Sequence, residues 1–539
     1  MEISGKLIDL HTRRIYAAEI TVSDGKIVNI EVKEASQDIF ILPGLIDAHV
    51  HIESSMVTPS NFAVTAVKHG TVAVVSDPHE IANVLGMEGI NFMVENAATV
   101  PVKFYFGAPS CVPATSFESA GAVIGHEEIE ELLKSKRTCY LAEMMNFPGV
   151  IFGDSEVEAK LNVARHEGVP IDGHAPGVTG KDLQKYAAAG ITTDHECSTP
   201  EEALEKISLG MHILMREGSA AKNLAALAPL LKSHPEMVML CSDDLHPEML
   251  ERGHMNKLVA RLLGEGYDLF DVLRAATVNP DIHYRLGAGM LREGDSADFI
   301  VVDDPHSMRV LQTWINGELV YDGRSALFGP GTVGKVNKFN CSRIIPREIA
   351  VRNRGSFMRV ITARNGELIT GCDIVSTGTV AEVQSRPEDD ILKIVVKERY
   401  NDAPPSVGFI RGFGLRNGAM ATSVAHDSHN IIAVGATDRD IVTAINMVTD
   451  AGGGMAVVSG QESDILRLPV AGIMSDMPVS AMAARYLSLS ETVKGLGCRL
   501  DAPFMTLSFM ALLVIPELKL SDRGLFDAKE FRFVPLFID

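Results

Sequence analysis

Two histidines one residue apart, His49 and His51 in "DAHVH", mark where this 539-residue chain could do chemistry. Alternate side chains of a strand share a face, so the pair can grip one metal ion. His174 in "DGHAPG" and His195 in "TDHECS" supply two imidazoles for a second ion, and Asp243 in "CSDD" supplies a hard oxygen that can reach the first. Two cations so close repel unless an anion bridges them. Glu143 in "CYLAEMMNFPG" sits at the end of an apolar run. Burying a carboxylate there without a partner costs on the order of several kcal/mol. One of its oxygens on each ion would offset that cost and keep it ionised. The competing account is a salt bridge from Glu143 to Arg216 or to a lysine.

The elements that must position these residues form a repeating pattern. Eight apolar runs lie at roughly 42–48, 71–76, 102–107, 139–143, 169–173, 190–194, 211–215 and 237–242, separated by helical patterns such as "EEIEELLKSK" and "PEEALEKISLG". Short buried strands alternating with helices predict a parallel sheet, and eight units predict a closed α/β barrel of the (β/α)8 TIM type. An open doubly wound sheet is the alternative, but no Gly-rich phosphate fingerprint follows the first strand. In a barrel the polar residues at the C-terminal strand ends face one mouth. They are His49 and His51, Asp77 and His79, Ser110, Glu143, His174, His195, Arg216 with Glu217, and Asp243 with Asp244.

The flanks differ in texture. "TVSDGKIVNI" and "TWINGELVYDG" carry Asp24-Gly25 and Asn316-Gly317 hairpin signals. The expected organisation is a small β-sandwich domain from residues 1–43 plus 290–340, a catalytic barrel over 44–289, and a C-terminal α+β domain over 341–539.

Composition narrows the function classes. A formal charge of −21 with no basic or aromatic stripe argues against nucleic acid as a partner. The first residues lack the basic and apolar regions of a secretory signal, and no apolar segment is long enough to span a membrane. Seven scattered cysteines without a CxxC predict a reducing, cytoplasmic setting, with Cys197 and Cys241 as small buried hydrophobes.

"PGLIDAHVHIESS", the two later histidines and the final Asp resemble the amidohydrolase superfamily of metal-dependent hydrolases. "SDPHEIANVLG", "AEMMNFPGVI", "DGHAPG", "REGSAAKNL", "CSDD" and "SVAHDSHNI" are similar to the adenine deaminases, over essentially the whole chain. Many relatives in the superfamily bridge their metals with a carbamylated lysine. Here the corresponding strand has Glu143, as adenine deaminases do, while Lys134 and Lys136 precede it. The ligand set His49, His51, Glu143, His174, His195 and Asp243 has no thiolate and suits Mn, Fe or Zn. The resemblance implies two divalent ions, Mn(II) or Fe(II), with Zn(II) an alternative. It also implies that a metal-activated hydroxide attacks C6 of adenine, giving hypoxanthine and ammonia in purine salvage or catabolism.

Asp243, which reaches both metal and water, is the expected proton shuttle. In the resemblance His79 lies by the substrate and assists by hydrogen bonding or proton transfer. Its bland alternative is a loop histidine capping the next helix. Ser110, Arg216, Glu217 and His429 are the expected substrate-binding residues. A salt bridge and helix cap within "REGS", Ser219 included, explains that motif as well. "HDSH" (His426 to His429) can bind an extra metal, line the barrel mouth, or form a plain polar loop. The zinc-deaminase signature H-x-E…P-C-x-x-C is absent. Further expectations are a small-molecule partner, no membrane partner, and a homo-oligomer, dimeric or larger. The rival readings are another amidohydrolase, acting on a cyclic amide or a different nucleobase, and an inactive barrel scaffold.

Overall fold

The computed structural model describes residues 1–33, 38–219, 222–332 and 334–539. The chain divides into two compact units. The first comprises Met1–Pro78, Asn91–Ser110 and Gly125–Val333; the second comprises His79–Ile90, Cys111–Ile124 and Gly334–Asp539.

In the first unit, β1 (Glu2–Asp9), β2 (Arg14–Ser23), β3 (Lys26–Val32) and β4 (Phe40–Pro43) precede the barrel strands. The β2–β3 turn holds Asp24 and Gly25 at φ 51° and 75°, the left-handed pair that a type I′ hairpin requires. The barrel strands are β5 (Leu45–Val50), β6 (Thr71–Ser76), β7 (Lys103–Ala108), β8 (Tyr140–Met144), β9 (Ile171–Gly173), β10 (Thr193–Asp194), β11 (His212–Arg216) and β12 (Val238–Cys241). After them come β13 (Phe299–Val302), β14 (Val310–Ile315) and β15 (Glu318–Tyr321). The two flanks join in one seven-stranded sheet, ordered β15-β14-β13-β4-β1-β2-β3.

The barrel strands pair in parallel as β5-β6-β7-β8-β9 and β10-β11-β12. Two contacts close the ring. Thr192 N donates to Ile171 O at 2.9 Å, joining β9 to the start of β10. At the other seam Asp243 N donates to His49 O at 2.9 Å and His51 N to Asp243 O at 3.3 Å, tying the end of β12 to β5.

Side chains alternate as the strand period demands. Ile213, Met215, Val238 and Leu240 pack outward with helix residues such as Leu258 and Leu273. Ala142, Leu214, Met239 and Cys241 fill the inner core. Arg216, two residues beyond Leu214, and Asp243, two beyond Cys241, therefore point into the mouth.

The second unit is built on a nine-stranded mixed sheet. Its central strands Leu392–Lys397, Ala419–Thr422 and Ile431–Gly435 are buried throughout, and helix Asp438–Ala451 packs its apolar face on them. The loop between Ala419–Thr422 and Ile431–Gly435, which pair antiparallel, carries His426, Asp427 and His429. Helix His79–Leu85 belongs to this unit. All seven cysteines are free. Among the described residues no helix is long and apolar enough to cross a membrane.

Candidate metal centre

The barrel mouth brings six of the expected residues together. His49 Nε2 and His51 Nε2 lie 3.1 Å apart, and His174 Nδ1 and His195 Nε2 lie 3.3 Å apart. Glu143 stands between the two pairs. Its Oε1 is 3.5 Å from His51 Nε2. Its Oε2 is 2.8 Å from His174 Nδ1 and 3.0 Å from His195 Nε2. Asp243 Oδ1 lies 3.3 Å from His51 Nε2 and 3.8 Å from His49 Nε2. His49 and His195 stack with ring centroids 4.2 Å apart. Of the six, only His174 is more than marginally exposed, at 17 % of its side chain.

Short strands and side-chain anchors hold this geometry. Asp194 accepts Ala175 N through Oδ2 and Glu196 N through Oδ1, both at 2.8 Å, and so pins the residues beside His174 and His195. The fully buried Lys206 pairs with Asp194 at 3.2 Å and with Glu202 at 2.8 Å, and donates to Ala175 O at 2.7 Å. Ser110 Oγ donates to Glu143 O at 2.5 Å, and Lys160 Nζ to Ser110 O at 2.8 Å. Behind β5, Asp47 accepts Ser242 N at 3.0 Å and pairs with His254 Nε2 at 2.8 Å. Asp243 itself has φ 55°, a left-handed conformation uncommon outside glycine that costs about 1–3 kcal/mol. The two seam hydrogen bonds on its own N and O hold it there.

The electrostatics follow from burial and pairing. Burial opposes charge on Glu143, but His174 and His195 outweigh it and hold the carboxyl well below the usual range. Asp243 is likewise held well below against burial, first by Arg216 and then by the imidazoles. Burial, with His195 and His51 alongside, pushes His49 well down, leaving a neutral ring with a lone pair to give. His195 goes the other way: burial is outweighed by Glu143, and its pKa rises to about 9.

Arg216 does not reach for Glu143. It donates to Glu196 through Nη1 at 2.5 Å and Nη2 at 2.9 Å, and Nη1 also pairs with Asp243 Oδ2. The salt-bridge account of Glu143 thus loses its leading partner. Glu196, 3.6 Å from both His174 Nδ1 and His195 Nε2, is a site residue that sequence reasoning missed. Its only signal is its place directly after His195. Glu217 turns away to Arg261 at 2.9 Å and Lys222 at 3.3 Å. Ser219 Oγ accepts His246 N at 2.9 Å, and Ser54 Oγ donates to Asp244 Oδ1 at 2.5 Å. Ala220 and Ala221 of that motif lie outside the described residues. Cys197 and Cys241 are fully buried.

The remaining expected residues, His79 and His429, belong to the second unit. There Glu80 takes a histidine on each oxygen: His426 Nδ1 on Oε1 at 2.6 Å and His429 Nε2 on Oε2. His79 Nε2 lies 3.7 Å from Glu80 Oε1 and 3.9 Å from Asp427 Oδ1.

The donors of the mouth suit divalent ions. Pairs of imidazole nitrogens converge at about 3 Å, two carboxylates face them, and no thiolate is present. A parallel barrel with such a cluster at its C-terminal mouth has the architecture of a metal-dependent hydrolase of the amidohydrolase type, and residues 40–320 match the amidohydrolase family. Residues 367–532 match the adenine deaminase C-terminal domain. A protein of Methanosarcina acetivorans named adenine deaminase is 52% identical over 99% of this chain and 99% of its own. Namesakes from Salinibacter ruber (51%, over 100% of this chain and 99% of theirs) and Borreliella burgdorferi (45%, 99% and 99%) are similar in the same way. The chain belongs to the adenine deaminase family, within the amidohydrolases.

Proposed function

We propose that the chain hydrolyses adenine to hypoxanthine and ammonia at a two-ion centre in the barrel mouth. The observation that carries the chemistry is the division of Glu143, one oxygen toward His51 and the other toward His174 and His195. Adenine as the substrate rests on full-length similarity to proteins named adenine deaminase.

His49, His51 and Asp243 would hold one ion, His174 and His195 the other, and Glu143 both. Two divalent ions, when bound, supply a water acidic enough to ionise near neutral pH. Asp243 would take the proton of the attacking water and return it to the departing amino nitrogen. Adenine plus water then becomes hypoxanthine plus ammonia, with no net proton change at the enzyme. Arg216 keeps Asp243 ionised and fixed through Oδ2, leaving Oδ1 toward His49 and His51. Because Arg216 and the imidazoles make Asp243 a weak base, a proton placed on it is passed on readily. Glu196 balances Arg216, so the guanidinium adds no uncompensated charge beside the ions.

Ammonia release from a panel of purines and cyclic amides, with Mn- or Fe-loaded protein, tests the reading. Adenine should be deaminated and cyclic amides left intact. An inert adenine with a hydrolysed cyclic amide would leave only the superfamily standing.

A further inference from the structure

The second unit holds a second group of metal-type donors. His79, Glu80 and Asp427 offer ligand atoms all within 4.8 Å of one another. His426 Nδ1 faces the same oxygens, 2.6 Å from Glu80 Oε1 and 3.8 Å from Asp427 Oδ1. With His79 Nε2 at 3.7 and 3.9 Å from those oxygens, each imidazole nitrogen faces both carboxylate oxygens. Ligands about 2.0–2.1 Å from a tetrahedral ion stand about 3.4 Å apart. Three of the four nitrogen–oxygen distances fall within half an ångström of that, and the fourth, the His426–Glu80 hydrogen bond, has only to open.

Two independent features point to a cation. Asp427 is 4 % exposed, its Oδ2 has no hydrogen-bond partner, and its nearest imidazoles are beyond hydrogen-bond reach. Moreover, among the described residues no lysine or arginine pairs with Glu80 or Asp427, in contrast to Asp243 with its Arg216. Such a concentration of buried acid is otherwise stabilised by metal coordination. His429, on Glu80 Oε2, would orient the carboxylate and leave Oε1 for the ion.

We infer that His79 Nε2, Glu80 Oε1, His426 Nδ1 and Asp427 Oδ1 bind a further divalent cation, additional to the barrel pair. Mixed nitrogen and oxygen donors suit Mn, Fe(II) or Zn. With Nε2 on an ion, the His79 ring keeps Nδ1–H as a hydrogen-bond donor.

The test is a metal count on full-length protein stripped with chelator, refilled with MnCl2, desalted and measured by plasma mass spectrometry. Three Mn per chain are expected for the wild type, two for Asp427→Asn or His426→Gln, and one for Glu143→Gln. Low-temperature EPR gives a readout that needs no variant: an isolated Mn(II) six-line signal beside that of a coupled pair. Two Mn per chain in the wild type without the isolated signal would overturn the proposal. So would an Asp427→Asn protein that keeps three.

Discussion

Glu143 and Glu80 are both buried carboxylates with histidines on each oxygen, but the two settings are built from different parts. Glu143 stands at the end of β8, and its histidines come from β5, β9 and β10, each held by the barrel ladder. Glu80 lies in the first turn of a seven-residue helix, and two of its histidines come from a single hairpin loop some 346 residues away in the chain. The barrel cluster balances its acids with Arg216, whereas among the described residues the ion-pair partners of Glu80 and Asp427 are imidazoles. Strand ends place ligands on a rigid frame, as a reacting centre needs. A hairpin loop and a helix start can converge on an ion, and their geometry then depends more on that ion. Each cluster has one non-glycine residue in the left-handed region, Asp243 and His429.

Several substitutions would break or sharpen this contrast. The largest effect is expected from Glu143→Gln, which should lose the barrel pair and drop adenine turnover to background. Retention of both would refute the bridge. Asp243→Asn should keep most of the metal but lower kcat by about 10²–10⁴-fold, the usual reach of a general acid–base group. A rate near wild type would move the shuttle elsewhere. Lys206→Met removes the cation from a buried network and should destabilise the chain by about 3–5 kcal/mol in chemical denaturation. A loss below about 1 kcal/mol would mean that Asp194 and Glu202 find other partners. Glu80→Gln should leave the barrel ion pair in place, so a loss of that pair would erase the distinction between the clusters.

The pH dependence has a definite sign. In the ion-free protein His195 titrates near 9, because Glu143 outweighs its burial. Its folded pKa is raised, so its contribution to stability is full below the ordinary histidine value and fades as pH rises toward 9. An ion requires the neutral ring. Binding at pH 7.5 should therefore release protons, and affinity should climb until about pH 9. Calorimetry in two buffers of different ionisation enthalpy measures that release, and identical heats would contradict it.

Much of the barrel site is legible in the sequence because strand periodicity and C-terminal strand ends are local signals. His49, His51, Glu143, His174, His195 and Asp243 each follow an apolar run, and the structure brings them together. Arg216 and Asp243 both read as polar strand ends, but Glu196 and the pairing of the three do not, since that pairing joins the ends of three different strands. Asp194 and Lys206 read as ordinary strand and helix residues, and only burial shows their work. The assignment of His79–Ile90 and Cys111–Ile124 to the second unit has no local signature at all. Both segments follow barrel strands, and their packing partners lie hundreds of residues away.

The central claim is that Glu143 bridges two ions. A crystal structure of Mn-loaded protein, with anomalous scattering collected at the manganese edge, tests it most directly. The account predicts two anomalous peaks in the barrel mouth, one toward His49 and His51 and one toward His174 and His195, with one Glu143 oxygen on each. A single peak there, or a Glu143 carboxylate turned to a cationic side chain, would contradict it.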